Sequence, residues 1–325
     1  MPCYGKPNNF KRVFMPRSSL RLKNGQPARV RRSQLAVPGA SYAMMEKAAA
    51  SNADGVFCDL EDAVAPNEKG KARLGVCDAL NELDWGRKIK SVRVNDVTSQ
   101  WCFEDIITVV EKAGKNLDTI ILPKANRAAD VVFADLLLSQ LEQKLGLKHR
   151  IGLEVIIEEV QAMQNIAEIA NSCQRLEALI FGMGDYAASQ GMMTKNIGEA
   201  DGYPGDIFHY PRSQIIIAAR SSGLDAIDGP VADFKNAQAF VNGCNEAMAL
   251  GMVGKWAIHP SQIQPALDVF SPSAEAVAFA RQILVAYQDA MNQGLGSVSH
   301  EGVMVDAASV RLFQNTVDRA EQIGM

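Results

Sequence analysis

The chain has 325 residues, 47% of them apolar, and a formal net charge of −4. This length holds one large α/β domain with extensions, or two small domains. The mild acidity argues against nucleic acid or a membrane surface as partner, and no apolar run approaches the roughly 18–20 residues of a membrane span.

The amino-terminal segment is the compositional exception. No acid precedes Glu46, while Lys6, Lys11, Arg12, Arg17, Arg21, Lys23, Arg29, Arg31 and Arg32 are basic. Prolines at 2, 7, 16 and 27 and the lack of an amphipathic period argue against a transit peptide. Residues 1–32 therefore read as a basic arm lying along the domain or an adjacent subunit. The six cysteines (Cys3, Cys58, Cys77, Cys102, Cys173 and Cys244) are scattered, without a C-x-x-C pair. They predict buried, reduced thiols in a cytoplasmic protein.

From residue 33, strand and helix patterns alternate. Short apolar runs bounded by Gly, Pro, Asn or Asp predict strands over 33–38, 55–60, 90–95, 119–123, 151–158, 176–182, 225–229 and 254–258. Helical patterns lie between them, for example Asn67–Leu83, Arg127–Leu145 and Phe234–Leu250, with Gly251 as a C-cap. Eight strands in this alternation predict a (β/α)8 TIM barrel over residues 33–268. The rival, an open doubly wound sheet, lacks the expected G-x-G-x-x-G after its first strand. Residues 269–325 exceed what one closing helix requires and predict a helical lid-like extension. In it, a helix over Ser273–Met291 is followed by a Gly-rich turn, a short segment to Asp306 and a last helix to about Gln322.

Chemistry in such barrels gathers on the loops after the strands. Two apolar runs end on a lone carboxylate, Ile151–Glu158 and Leu176–Asp185, which places Glu158 and Asp185 side by side at one end of the sheet. Two hard oxygen donors there suit a divalent cation that keeps several waters, as Mg2+ prefers. The alternative is that each acid caps the following helix. The same face gathers Asp59, Glu61 and Asp62 after strand 2, Arg93 and Asn95 at strand 3, Lys124 after strand 4, Asp228 at strand 7 and Ile258-His259 at strand 8. The three acids of strand 2 cannot all join a small cation already held by two carboxylates. At least one reads as holding metal-bound water, with Glu61 and Asp62 the candidates. Arg93 either pairs with those acids or steadies an anionic substrate oxygen. Lys124 reads as an ion-paired lysine rather than a Schiff-base lysine. His259 is as well explained structurally as functionally, and four histidines leave no His-rich zinc site.

Nine segments in order resemble the citrate lyase β-subunit-like (HpcH/HpaI aldolase) family, and within it the malyl-CoA and citramalyl-CoA lyases. They are Arg32-Ser-Gln-Leu-Ala-Val-Pro-Gly39, Asp59-Leu-Glu-Asp-Ala-Val-Ala-Pro66, Leu83-Asp-Trp-Gly86, Val92-Arg-Val-Asn95 and Ile121-Leu-Pro-Lys124. Glu154-Val-Ile-Ile-Glu158, Gly182-Met-Gly-Asp-Tyr-Ala-Ala-Ser189, Ile227-Asp-Gly-Pro230 and Gly251-Met-Val-Gly-Lys-Trp-Ala-Ile-His-Pro260 complete the set. The resemblance implies a Mg2+-dependent carbon–carbon lyase, with Mn2+ as the alternative cation, that cleaves or forms a β-hydroxyacyl-CoA through an enolate. Malyl-CoA, β-methylmalyl-CoA and citramalyl-CoA are the expected thioesters, giving acetyl- or propionyl-CoA plus glyoxylate or pyruvate.

By residue matching, the resemblance makes Glu158 and Asp185 metal ligands and Arg93 a catalytic contact to substrate oxygens. It places Lys47, Gly184, Ile258 and His259 against substrate or CoA. Asp306 matches a catalytic acid delivered from a neighbouring subunit's C-terminal segment, which implies a homotrimer or homohexamer. Ala36 and Ser41 depart from the Phe and Arg that some malyl-CoA lyases carry around the CoA phosphates. The loop Gly191–Tyr210 is short, nearer the citramalyl-CoA branch. Alternative readings are a citrate lyase β-like subunit needing an acyl-carrier partner, a CoA-independent metal-dependent pyruvate aldolase, and a malyl-CoA thioesterase.

Overall fold

A computed structural model of the chain describes residues 28–194, 196–197 and 205–325. Most of the basic arm, Cys3 and part of the Gly191–Tyr210 loop lie outside the described residues. The chain forms two compact units, one reaching to Ser271 and one running from Pro272 to Met325.

The first unit is a closed barrel of eight parallel strands in sequence order. They are β1 (Ser33–Pro38), β2 (Gly55–Asp59), β3 (Ile89–Arg93), β4 (Thr119–Leu122), β5 (Gly152–Ile157), β6 (Leu176–Phe181), β7 (Asp225–Asp228) and β8 (Gly254–Ala257). All eight predicted strands are present within one or two residues, and β8 closes onto β1 through the pairs Ser33↔Lys255 and Gln34↔Trp256. Every residue of β2 and β4–β8 is buried. That is why these strands read as continuous apolar runs: the sheet is covered on both faces.

Around the barrel run α1 (Tyr42–Ala49), α2 (Lys69–Glu82), α3 (Cys102–Ala113), α4 (Ala128–Leu145) and the short α5 (Val160–Gln164) and α6 (Ile166–Ala170). They are followed by α7 (Met183–Ser189), α8 (His209–Ser221), α9 (Ala237–Leu250) and α10 (Ile263–Val269). The pattern over Asn67–Leu83 resolves into a tight 3-10 turn, Pro66–Glu68, leading into α2. The pattern beginning at Phe234 starts its helix only at Ala237, where the Asn236 side chain accepts the Ala239 N–H. Gly251, with φ 114°, ends α9 as expected.

Side chains alternate across each strand, so residues two apart share a face. The inward set Phe57, Ile121, Ile156, Ala178, Ile180, Ile227 and Trp256 forms one apolar layer across the barrel. Below it, at the N-terminal ends of the strands, the fully buried Arg31 pairs with Glu154 (3.2 Å), Asp225 (2.9 Å) and Glu177. Residues 29–32 thus belong to the fabric of the barrel, although composition groups them with the arm: Arg29 joins Glu177 and Asp118, and Arg32 joins Asp54. Above the apolar layer, the next inward positions are Asp59, Arg93 and Glu158. Cys58, Cys77, Cys102 and Cys244 are buried free thiols, and Cys173 is partly buried.

The second unit holds α11 (Ala274–Asn292), β9 (Val298–His300), β10 (Val303–Val305) and α12 (Ala307–Gln322). Both helices lie where the sequence pattern predicts them, and the short segment between them has structure of its own. It is a two-stranded hairpin turned by Glu301 and Gly302, both at positive φ (47° and 79°). Ile283, Tyr287, Val305 and Val310 form its small core. Among the described residues, no helix is long and apolar enough to cross a membrane.

Candidate active site

The alternation that builds the apolar layer also aims the polar residues above it. Asp59 ends β2 and Arg93 ends β3, in register with each other, so their inward side chains meet. Arg93 donates from Nε to Asp59 Oδ1 (2.7 Å) and from Nη2 to Asp59 Oδ2 (2.6 Å), a two-pronged bond that fixes the guanidinium plane. Its Nη1 lies 2.9 Å from Glu61 Oε2 and 3.7 Å from Asp62. Burial works against the charge on Arg93, but the bonds to Asp59 and the charge of Glu61 outweigh it, so its pKa rises above that of an ordinary arginine. The guanidinium also sits 5.8 Å from the centre of the Trp256 ring.

Glu158 follows β5 and is 2% exposed. Its Oε1 accepts the Lys124 main-chain N–H at 2.7 Å. Burial, then the charge of Glu61 and more weakly that of Asp185, pushes its carboxyl up to about 8, against the opposing pull of Arg93 and the Lys124 N–H. The strand-end turn that brings Glu158 close to β6 needs a glycine. A Cβ on Gly182 would lie 2.4 Å from Glu158 Cβ and 2.6 Å from Oε2. Asp185 projects from the first turn of α7 and is exposed. Gly184 is covered by Ile197, whose Cδ1 would lie 2.9 Å from an added Cβ.

The other predicted residues fall into place differently. Glu61 is 5% exposed; one oxygen takes the Lys124 ammonium, and the other, beside Arg93, makes no well-angled hydrogen bond. Burial is the main cause holding the Glu61 carboxyl above its usual range. Asp62 is largely solvent-exposed, 3.5 Å from Lys124 Nζ. His259 and Ile258 follow β8. The His259 ring stacks on Phe234 (centroids 4.6 Å, 15° between planes), and its Nδ1 pairs with the Ser261 hydroxyl at 2.8 Å. Lys47 is exposed in the last turn of α1, and no described contact ties it to the strand-end cluster.

Asp306 belongs to the second unit, where it is the N-cap of α12. Its Oδ1 accepts from the Ala308 and Ser309 N–H groups, both at 2.9 Å, and from the Ser309 hydroxyl at 3.1 Å. The Ser309 bonds hold its pKa below the usual carboxylate range.

Asp228 must be moved out of the strand-end census. It lies between the inward positions Ile227 and Gly229, so it faces the helices, fully buried against Lys255 and Arg212. Two residues carry more of the site than their sequence reading suggested. Asp59 is the rigid anchor of Arg93. Lys124 contacts both Glu158 and Glu61, and its φ of 49° marks it as one of two described non-glycine residues in the left-handed region. Asp59 was legible as an inward position two residues below Glu61; nothing in the sequence signals the Lys124 backbone.

The donor set fits a magnesium-type cation. Glu158 and Asp185 supply two oxygen donors, and among the described residues no group of three or more His, Cys, Asp or Glu forms a closed cage. Two carboxylates with open positions suit a cation that keeps waters or takes a chelating substrate. The costly burial of Glu158 is relieved by positive charge at this place.

A scan against family models matches residues 32–260 to "HpcH/HpaI aldolase/citrate lyase", the full span of the barrel from β1 to the end of β8. The chain belongs to this family. The family chain is 41% identical over 315 residues to the L-malyl-CoA/beta-methylmalyl-CoA lyase of Cereibacter sphaeroides, covering 94% of this chain and 99% of that one. It is 30% identical to the human mitochondrial citramalyl-CoA lyase, covering 90% and 86%. Among solved structures it resembles CitE of Mycobacterium tuberculosis in complex with magnesium, acetoacetate and coenzyme A. The TM-score is 0.71, the identity 29%, and the coverage 89% of this chain and 97% of that one.

Proposed function

We infer that the protein is a Mg2+-dependent lyase that cleaves or forms the carbon–carbon bond of a malyl-CoA-type thioester, with β-methylmalyl-CoA and citramalyl-CoA as the nearest alternatives. One observation carries the reading. The chain aligns over nearly its whole length with a malyl-CoA/β-methylmalyl-CoA lyase, and its strand ends bring the buried carboxylate Glu158 near a rigidly held arginine. The similarity to a structure binding magnesium and coenzyme A supports the cation and the thioester.

Bound by Glu158 and Asp185, Mg2+ would supply Lewis-acid polarisation of the 2-oxoacid carbonyl. The protein's own groups do the rest. Arg93 is held by Asp59 on its Nε edge, so the remaining Nη N–H groups are oriented without cost at the moment of reaction. They stabilise the oxygen on which negative charge develops when the acyl α-carbon becomes an enolate. Lys124 and Arg93 keep the acidic turn after β2 neutralised, so an anionic substrate is not repelled. Asp306 is assigned the α-proton on its motif match. Supplying Asp306 from a neighbouring copy in a trimer or hexamer is part of the same proposal.

The test is a panel of malyl-, β-methylmalyl- and citramalyl-CoA with Mg2+, trapping glyoxylate and pyruvate as they form. Release of the oxoacid with a matching acyl-CoA supports the reading. Release of free CoA with intact malate would instead identify a thioesterase. No turnover of any thioester, restored by an acyl-carrier protein, would identify a citrate lyase β-like subunit.

A further inference from the structure

Lys124 occupies an unusual place. Its main-chain N–H bonds one carboxylate of the strand-end cluster, Glu158 (2.7 Å), and its ammonium bonds another, Glu61. The residue adopts a left-handed backbone (φ 49°) that L-residues seldom take up. Directly after Pro123, that turn lets main chain and side chain reach two different acids. Glu61 is buried and close enough to Glu158 for its charge to raise the Glu158 carboxyl. On its other side, Glu61 faces Arg93 at 2.9 Å.

A second buried carboxylate near Glu158 is a hazard for the chemistry. A Mg2+ site that must admit a chelating oxoacid needs at least two coordination positions free of protein. A free Glu61 would compete for one of them, adding a third negative charge and closing the site. We propose that Lys124, with Arg93, is a positioning residue that clamps Glu61 away from the cation, keeping the site two-carboxylate and open to substrate. This rests on Glu158 and Asp185 being the cation ligands.

The test is calorimetric and needs no turnover. Mg2+ is titrated into the full-length protein stripped of metal, and oxalate, a stable chelating dianion, is then titrated into the Mg2+-loaded protein. In Lys124→Met the freed Glu61 joins the cation: Mg2+ binds about tenfold more tightly and oxalate about tenfold more weakly. Adding Glu61→Gln to Lys124→Met reverses both changes, and Lys124→Arg leaves both near wild type. Glu61→Gln alone weakens Mg2+ binding by no more than about tenfold, the lower end of what losing a hydrogen-bonding partner around a metal costs; a larger loss, as removal of a ligand gives, overturns the proposal. That variant keeps the test open if Lys124→Met fails to fold. Unchanged or weakened Mg2+ binding in a folded Lys124→Met also refutes the clamp. Absence of Mg2+ binding in the wild type would refute the cation site itself, a separate failure.

Discussion

Removing the charge of Glu158 should stabilise the metal-free protein while destroying the cation site. The ordinary carboxyl value of 4.5 is pushed up to about 8 here, burial being the main cause. At pH 7 the unfolded chain carries Glu158 ionised, whereas the metal-free fold holds it mostly protonated. Protonating it on folding costs about 3 kcal/mol at that pH. The sign follows from the raised pKa: the contribution of Glu158 to stability is fully present below pH 4.5 and is lost as pH rises through about 8. Glu158→Gln removes this pH-dependent penalty and keeps an oxygen to accept the Lys124 N–H. Thermal melts of metal-stripped protein at pH 5, 7 and 8 are the assay. The variant should melt higher at pH 7 by about 3–6 °C and show a flatter pH dependence from 5 to 8. Millimolar Mg2+ should raise the melting temperature of the wild type alone. A variant that melts lower at pH 7 than the wild type, with the same pH slope, would refute the argument that Glu158 is held at a desolvation cost.

The other predictions follow the same geometry. Gly182→Ala places a methyl 2.4 Å from Glu158 Cβ, so Mg2+ affinity should fall by about 100-fold in calorimetry while the fold survives; unchanged affinity would show that Glu158 is not a ligand. Asp59→Asn removes one charged partner of Arg93 from a buried pair. It should lower kcat/KM by about 10- to 100-fold with Mg2+ affinity retained, as steady-state kinetics and calorimetry together would show, and cost roughly 3 kcal/mol in denaturant unfolding. Asp306→Asn keeps an oxygen to cap α12, so melting should change little while exchange of the acetyl-CoA α-protons with solvent drops by about 100-fold or more; near-normal exchange would remove Asp306 from the proton transfer.

The barrel was legible because both faces of its sheet are covered. Strands buried on both sides become short unbroken apolar runs, and that pattern survives in the sequence without any knowledge of partners. The strand-end positions of Glu158 and Arg93 were legible for the same reason, since a charge ending such a run sits at one end of the sheet. What escaped was set by parity and by backbone. Asp228 ends a strand, as Glu158 nearly does, but one residue of register turns it to the helices and Lys255. The Lys124 clamp depends on a left-handed φ that L-residues rarely adopt and that no local motif announces. The hairpin between α11 and α12 was missed because its strands are three residues each, too short to show a period. Asp306 has two readings, helix cap and proton acceptor. The structure shows the cap, whose hydrogen bonds lower the carboxylate's proton affinity.

Carbon–carbon cleavage is proposed to depend on one cation held by Glu158 and Asp185. Metal-stripped protein mixed with malyl-CoA, with glyoxylate formation followed as Mg2+ is restored, tests it most directly. The account predicts no glyoxylate without the cation, full recovery with Mg2+, and no recovery in Asp185→Asn. Equal cleavage in the stripped protein, or full recovery in Asp185→Asn, would contradict it.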